Sequence, residues 1–349
     1  MTEMTQAALG RYADGMAGDH DPGPDGAAAR VDDIGSVAAE PIELEGASKV
    51  LVGTASWTDP TMTASGVFYP VGADSAEERL QYYASTFPVV EVDATYYALP
   101  AERTAQLWVD RTPPDFTFDI KAHALMTGQG TETKRLPKAI KDELPDELKA
   151  KSRIYAKDLP AELNDAVWSM FRDGLAPLAD RGQLGSILLQ YPKWVFPSSE
   201  NRAQIEDAVE RLKGWTCAVE FRNGSWLNEK NAERTSRFLA ERNIPFVMVD
   251  EPQGFKSSVP PEVLVTSSEL ALVRFHGRNA ETWEMKGITP AERFRYLYSR
   301  DELSEWVPRI REVAKEAKEV HLMFNNCYAN YGTTNAREIA DLLADELNG

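Results

Sequence analysis

Eight short apolar runs punctuate the chain from residue 50 onward. They are VLVGTASW (50–57), VVEVDATYY (89–97), FTFDIKAH (116–123), GSILLQYP (185–192), TCAVEFRN (216–223), PFVMVD (245–250), LALVRFHGRN (270–279) and VHLMFNN (320–326). Near-continuous apolar runs of this length predict strands covered on both faces. Between most of them apolar residues recur at helical spacing. The clearest stretches are SAEERLQYYASTF, SSENRAQIEDAVERLKG, EKNAERTSRFLAERN and DELSEWVPRIREVAKEAKE, with TTNAREIADLLADEL closing the chain. The first opens on a Ser with acids in its first turn, a helix-start signal. The link 251–269 predicts no helix. Eight strands alternating with helices predict an α/β fold, a single TIM (β/α)8-type barrel over residues 47–349. An open doubly wound sheet is the second choice, because no Gly-rich phosphate fingerprint follows the first run. Segment 124–162 is long for a βα loop and reads as an insertion after the third strand.

Each run starts apolar and ends polar. The second yields Glu91 and Asp93, the third Lys121 and His123, the fourth Gln190, the fifth Glu220 and Arg222. The sixth ends at Asp250, the seventh yields Arg274, His276 and Arg278, and the eighth Asn325 and Asn326. Most fall at i, i+2, so each pair is expected on one face of its strand; Arg274, His276 and Arg278 are expected to share one. A charge turned toward a helix layer meets apolar packing, whereas the C-terminal mouth of a barrel is open and is where active sites lie. Trp57, Trp194, Trp226 and Trp283 lie at or after strand ends, where flat rings suit stacking on a sugar or base; loop packing explains them equally well.

Composition adjusts this picture. The net charge is −17, which disfavours a nucleic-acid binder that relies on a basic surface. Residues 1–46 hold ten acids against two bases and few large apolar side chains, and predict a disordered acidic tail. The barrel itself is therefore less acidic than the whole chain. Two cysteines make no disulfide framework, no apolar run is long enough for a bilayer, and no signal-peptide pattern opens the chain. The expectation is a cytoplasmic protein with no membrane partner; the sequence says nothing of oligomeric state.

Glu91 and Glu220 are the candidate acid/base carboxylates. His276 lies between two arginines, which favour its neutral form, and is a second candidate for proton transfer or ligand contact. Lys121, Arg222, Arg274 and Arg278, with Asn325 and Asn326, form an expected anion-binding set, since guanidinium forks match carboxylate and phosphate. Trp57, Asp93, His123, Gln190, Trp226 and Asp250 complete the expected pocket. The alternative is an ion-pair lattice in which the acids neutralise the bases. GQGTETKR (128–135) is a candidate loop over the anion, with Lys134 and Arg135 reaching in. No cofactor is expected; the residue types allow at most one divalent ion, with no HxH or HExxH present. Common barrel glycosidases carry acids after strands four and seven, where this chain has Gln190 and Arg274/His276. The function expected is an enzyme acting on a small anionic, phosphorylated or sugar-like substrate by acid/base chemistry. Nucleic-acid processing and a non-catalytic ligand sensor are the alternatives.

In order, VGTASWTDP…GVFYP, FPVVEVDATYYALP, WVDRTPPDFTFDIKAH, LGSILLQYP, AVEFRNGSW, VRFHGRN and HLMFNNCYANYGTTNA resemble the signature blocks of the domain of unknown function 72 family (DUF72, YecE-like). The resemblance spans about residues 50–345 and implies a TIM barrel without an established activity. One departure is Asp93, where the family usually has Asn, which adds a negative charge and removes an amide donor.

Overall fold

All eight apolar runs form strands in a computed structural model of the chain, which describes residues 21–44 and 48–345. In chain order the strands are β1 (Ile42–Leu44), β2 (Ser48–Ala55), β3 (Val89–Val92), β4 (Thr117–Lys121), β5 (Thr131–Glu132), β6 (Arg153–Ile154), β7 (Leu184–Tyr191), β8 (Cys217–Phe221), β9 (Val247–Asp250), β10 (Leu270–Phe275) and β11 (Glu319–Phe324). The fold class is the expected one, α/β of the TIM-barrel type. The chain forms two compact units. One holds the residues up to Val90 and from Asn223 onward; the other runs from Glu91 to Arg222.

In the first unit the strand order is β2-β11-β10-β9. The ladders β2–β11, β11–β10 and β10–β9 are parallel. Register places Arg274 beside Met323 and Val249, and Phe275 beside Phe324 and Asp250. The two rows face opposite ways. Phe275 stacks on Phe324 at 4.4 Å and meets the Trp306 ring at 5.3 Å, so its row faces the helices. On the other side Met323 clusters with Leu51 and Val89. Gly53 is required there, because a Cβ would lie 2.1 Å from the Val89 carbonyl oxygen.

In the second unit β4, β7 and β8 follow one another, with β4–β7 and β7–β8 parallel. Phe118 stacks on Trp108 of helix Glu102–Asp110, which marks the helix side. That side carries Ile120, Ile187, Leu189, Val219 and Phe221, all buried. The insertion makes its own small structure. β5 and β6 pair antiparallel, and Leu136, Ile140, Leu144, Leu148 and Ile154 cluster with Val167 of helix Ala161–Arg181.

The expectation of a disordered tail is corrected for residues 21–44. They form helix Gly23–Ala29, a turn at Val37–Ala39, and β1, antiparallel on β2. Arg30 donates to both carboxylate oxygens of Glu338 at 2.9 and 2.8 Å, and Arg337 donates to the carbonyls of Val31 and Ile34. Composition alone missed this because five of the apolar residues here, Ala27, Val31, Ala38, Ile42 and Leu44, are buried by docking on remote parts of the chain. Residues 1–20 and 45–46 of the expected tail lie outside the described residues. Residues 251–269 contain no helix, as expected.

Candidate functional site

The expected site residues divide between the two units. In the second unit, strand alternation and register set Asp119, Lys121, Ser186, Leu188, Gln190, Ala218 and Glu220 on the side away from the helices. Polar groups therefore ascend one side of the sheet. At the lower level Ser186 donates to the buried Asp119 carboxylate at 2.7 Å. Higher up, Gln190 and Glu220 are register partners, and the Gln190 amide donates to Glu220 Oε1 at 2.7 Å. Arg222 Nε stands 3.3 Å from that same oxygen. Glu220 is fully buried, while Arg222 keeps a partly open side chain, 17% exposed.

A second pair belongs to the same unit. Lys121 Nζ meets Asp93 Oδ1 at 2.9 Å and lies 5.3 Å from the Tyr96 ring centroid. Asp93 owes this place to the end of β3, where the chain turns into the one-turn helix Ala94–Tyr97 instead of continuing extended through 97. Thr95 ties that turn to β4 by donating to the Lys121 carbonyl at 2.6 Å. Glu91, two residues before Asp93, is fully buried. His123 is buried too, and its Nδ1 accepts from the Leu125 amide. Burial pushes the imidazole down to about 4, so it is neutral near pH 7.

The glycine loop takes a definite position. Gln129 accepts from the Tyr96 hydroxyl at 2.8 Å and donates to the Gln190 carbonyl at 3.2 Å. Lys134 and Arg135 both pair with Glu132 and are exposed.

In the first unit, Arg274 and His276 continue the side of Met323, away from the helices. Arg274 is fully buried. His276 Nδ1 lies 2.9 Å from Asn325 Nδ2. With the amide in this orientation Nδ1 accepts and Nε2 carries the proton. The imidazole sits 5.7 Å from the Phe294 ring and 6.2 Å from Trp283. Glu251, buried directly after β9, accepts the Val259 amide at 2.7 Å.

The expectation that Arg274, His276 and Arg278 share one face is corrected. The strand ends at Phe275, and Gly277 adopts φ +85°, which turns Arg278 to the helix side. There it joins Asp250, Nε to Oδ1 at 3.0 Å and Nη2 to Oδ2 at 2.8 Å, with Glu305 at 3.1 Å from Nη2. Tyr298 and Trp306 also donate to the Asp250 carboxylate, at 2.8 and 2.7 Å. Burial raises the Asp250 acid, but the Arg278 charge and these donors outweigh it and hold it below the usual carboxylate range. This is the kind of ion pairing the sequence offered as an alternative, and Lys121–Asp93 and Arg222–Glu220 are paired in the same way.

Asn326 also serves the scaffold. Its amide donates to the Tyr296 carbonyl and to Asn335 Oδ1, fixing the approach to helix Tyr331–Asp345. Trp226 is fully buried, and Trp57 nearly so. Trp194, by contrast, is 57% exposed in the loop after β7. Asp119 and Ser186 escaped the sequence reading. The signal was present, since Asp119 stands two residues before Lys121 on its face. Among the described residues no three His, Cys, Asp or Glu side chains group as metal ligands, and no helix is long and apolar enough to cross a membrane.

Comparison with known proteins agrees with this architecture. The family described as "Protein of unknown function DUF72" matches residues 51–349. The UPF0759 protein YunF of Bacillus subtilis (strain 168) is 30% identical over 304 residues, which cover 86% of this chain and 96% of YunF. The crystal structure of the DUF72 family protein TM1631 from Thermotoga maritima MSB8 is 29% identical, with a TM-score of 0.66 over 84% of this chain and 99% of that one. That of EF0366 from Enterococcus faecalis V583 is 26% identical, with a TM-score of 0.67 over 84% and 95%. With the family match over residues 51–349 and nearly its whole length in common with these proteins, this chain belongs to the DUF72 family.

Proposed function

We propose that the protein is an enzyme acting by acid/base chemistry on a small anionic substrate, phosphorylated or sugar-like. The observation that carries the reading is the Glu220 cluster: a fully buried carboxylate held by the Gln190 amide, with a partly open guanidinium 3.3 Å away. An oriented carboxylate beside an accessible cation is what proton transfer on an anion requires. Lys121–Asp93 supplies a second oriented pair on the same strand ends of this unit. In this reading Glu220 is the base or acid and Arg222 and Lys121 hold the anion. Glu91 stands as a second carboxylate of the same unit.

The test is a thermal-shift screen of sugar phosphates, nucleotides and divalent ions on the wild type and on Arg222→Ala and Lys121→Ala. An anion that stabilises the wild type and loses its effect in Arg222→Ala supports the reading. If no anion stabilises the wild type more than either variant, the reading fails. With a ligand in hand, Glu220→Gln separates an enzyme from a sensor: turnover disappears in the first case, and ligand stabilisation persists unchanged in the second.

A further inference from the structure

The insertion holds a second feature, unrelated to the Glu220 cluster. A recess of about 910 Å³ is lined by Lys134, Lys138, Lys141, Lys149, Lys151 and Arg153, with Glu132 and Asp142 as its acids. Six cations against two carboxylates is an anomaly in a chain of net charge −17.

The local pairing leaves this charge uncompensated. Glu132 and Arg153 are register partners across the β5–β6 ladder, so a cross-strand ion pair is the simple outcome. Instead the Glu132 carboxylate is taken by Lys134 at 3.1 Å and Arg135 at 3.1 Å. Those cations hold Glu132 below its ordinary value. Lys149 and Lys151 turn to Asp146 and Asp158, at 3.8 and 3.7 Å. Among the described residues Lys138, Lys141 and Arg153 have no carboxylate partner.

Two features fix the rim. Lys141 Nζ donates to the Lys134 carbonyl at 3.4 Å. A Cβ at Gly130 would lie 2.9 Å from Arg153 Cδ and from the Tyr155 ring, so glycine there lets the arginine stem lie close to the loop backbone. Beneath, Leu136, Ile140, Leu144 and Ile154 anchor the segments that carry the cations.

We propose that this recess binds a compact oligophosphate, of the pyrophosphate, tripolyphosphate or nucleoside-triphosphate kind. Three uncompensated cations match a ligand carrying several closely spaced negative charges. The volume exceeds the need of a single phosphate, and the acidic remainder of the chain repels a long polyanion.

The experiment is calorimetric titration of the full chain with tripolyphosphate at low ionic strength. Lys138→Glu/Arg153→Glu is expected to weaken binding by about tenfold or more, since two charge-assisted contacts become repulsive. Lys230→Glu/Lys315→Glu makes the same change in net charge on exposed residues elsewhere and is expected to leave affinity within about twofold. Arg222→Ala is expected to bind tripolyphosphate normally, which separates this site from the Glu220 cluster. Equal losses in both double variants would mean that only global charge matters and overturn the proposal. So would an absence of saturable binding to the wild type. Tighter binding of a single-stranded oligonucleotide than of tripolyphosphate would overturn the compact ligand. All four replaced side chains are exposed, and matched unfolding temperatures will show that the variants fold.

Discussion

The carboxylate of Asp250 is fully buried, so the guanidinium beside it is committed to the scaffold. Arg278→Met removes the cation and leaves a buried charge, with an expected cost of about 3–5 kcal/mol in urea unfolding. Asp250→Asn/Arg278→Met together are expected to cost less than Arg278→Met alone, because no charge is then stranded. If Arg278→Met and the double variant lose the same stability, no stranded charge is being relieved and the assigned cause is wrong. His123 gives a pH signature. Its folded value of about 4 lies below the unfolded value near 6.5, so between these pH values the unfolded chain binds the extra proton. The stabilising effect of the neutral imidazole is full above pH 6.5 and is lost as pH falls toward 4. Wild type is expected to lose about 2 kcal/mol more than His123→Gln between pH 8 and pH 5, read from denaturant midpoints. A parallel loss in both proteins would show that His123 is not the sensor.

At the scale of elements, turns decide where side chains end up. Gly277→Ala is expected to destabilise by at least about 1–3 kcal/mol, because φ is +85° and the new Cβ would stand 2.6 Å from Tyr296 Cβ. A variant with wild-type stability would mean the loop relaxes freely. Removing the chain through Leu44 is likewise expected to lower the unfolding temperature, since Arg30–Glu338 and the β1–β2 ladder go with it. The strand cores were legible because burial on both faces leaves short apolar runs, and their length and alternation with helical stretches mark them as strands. Their ends were not. VVEVDATYY reads as one strand, yet the helical turn begins at Ala94. VRFHGRN reads as one alternating face, yet Gly277 redirects Arg278. Helix Ala161–Arg181 was hidden by Gly174 and Pro177; Gly174 is there because a Cβ would lie 2.2 Å from the Pro100 carbonyl oxygen. DELSEWVPRIREVAKEAKE reads as one helix but divides into Arg300–Ser304 and Val307–Ala314. The Glu220–Gln190–Arg222 group was legible as polar strand ends. That Gln190 rather than a second acid holds Glu220 required register, which no single strand encodes.

For the whole molecule, charge sets which partners can approach. A net charge of −17 repels duplex DNA over distances limited by the Debye length, about 8 Å at physiological salt. Three cations at polar strand ends are engaged by acids: Lys121 by Asp93, Arg222 by Glu220 and Arg278 by Asp250. Among the described residues the insertion gathers Lys138, Lys141 and Arg153, which have no carboxylate partner, within one recess rather than along a stripe that could follow a phosphate backbone. The expected outcome in fluorescence anisotropy is no measurable binding of a 30-base-pair duplex at 150 mM salt with micromolar protein, against nonspecific dissociation constants of about 10⁻⁴–10⁻⁶ M for proteins that grip DNA electrostatically. Lowering the salt is expected to reveal at most a weak contact that Lys138→Glu/Arg153→Glu removes. Duplex binding that survives both physiological salt and that charge reversal would mean that a surface other than the recess contacts DNA, and the small-anion reading of the protein would have to give way to nucleic-acid processing.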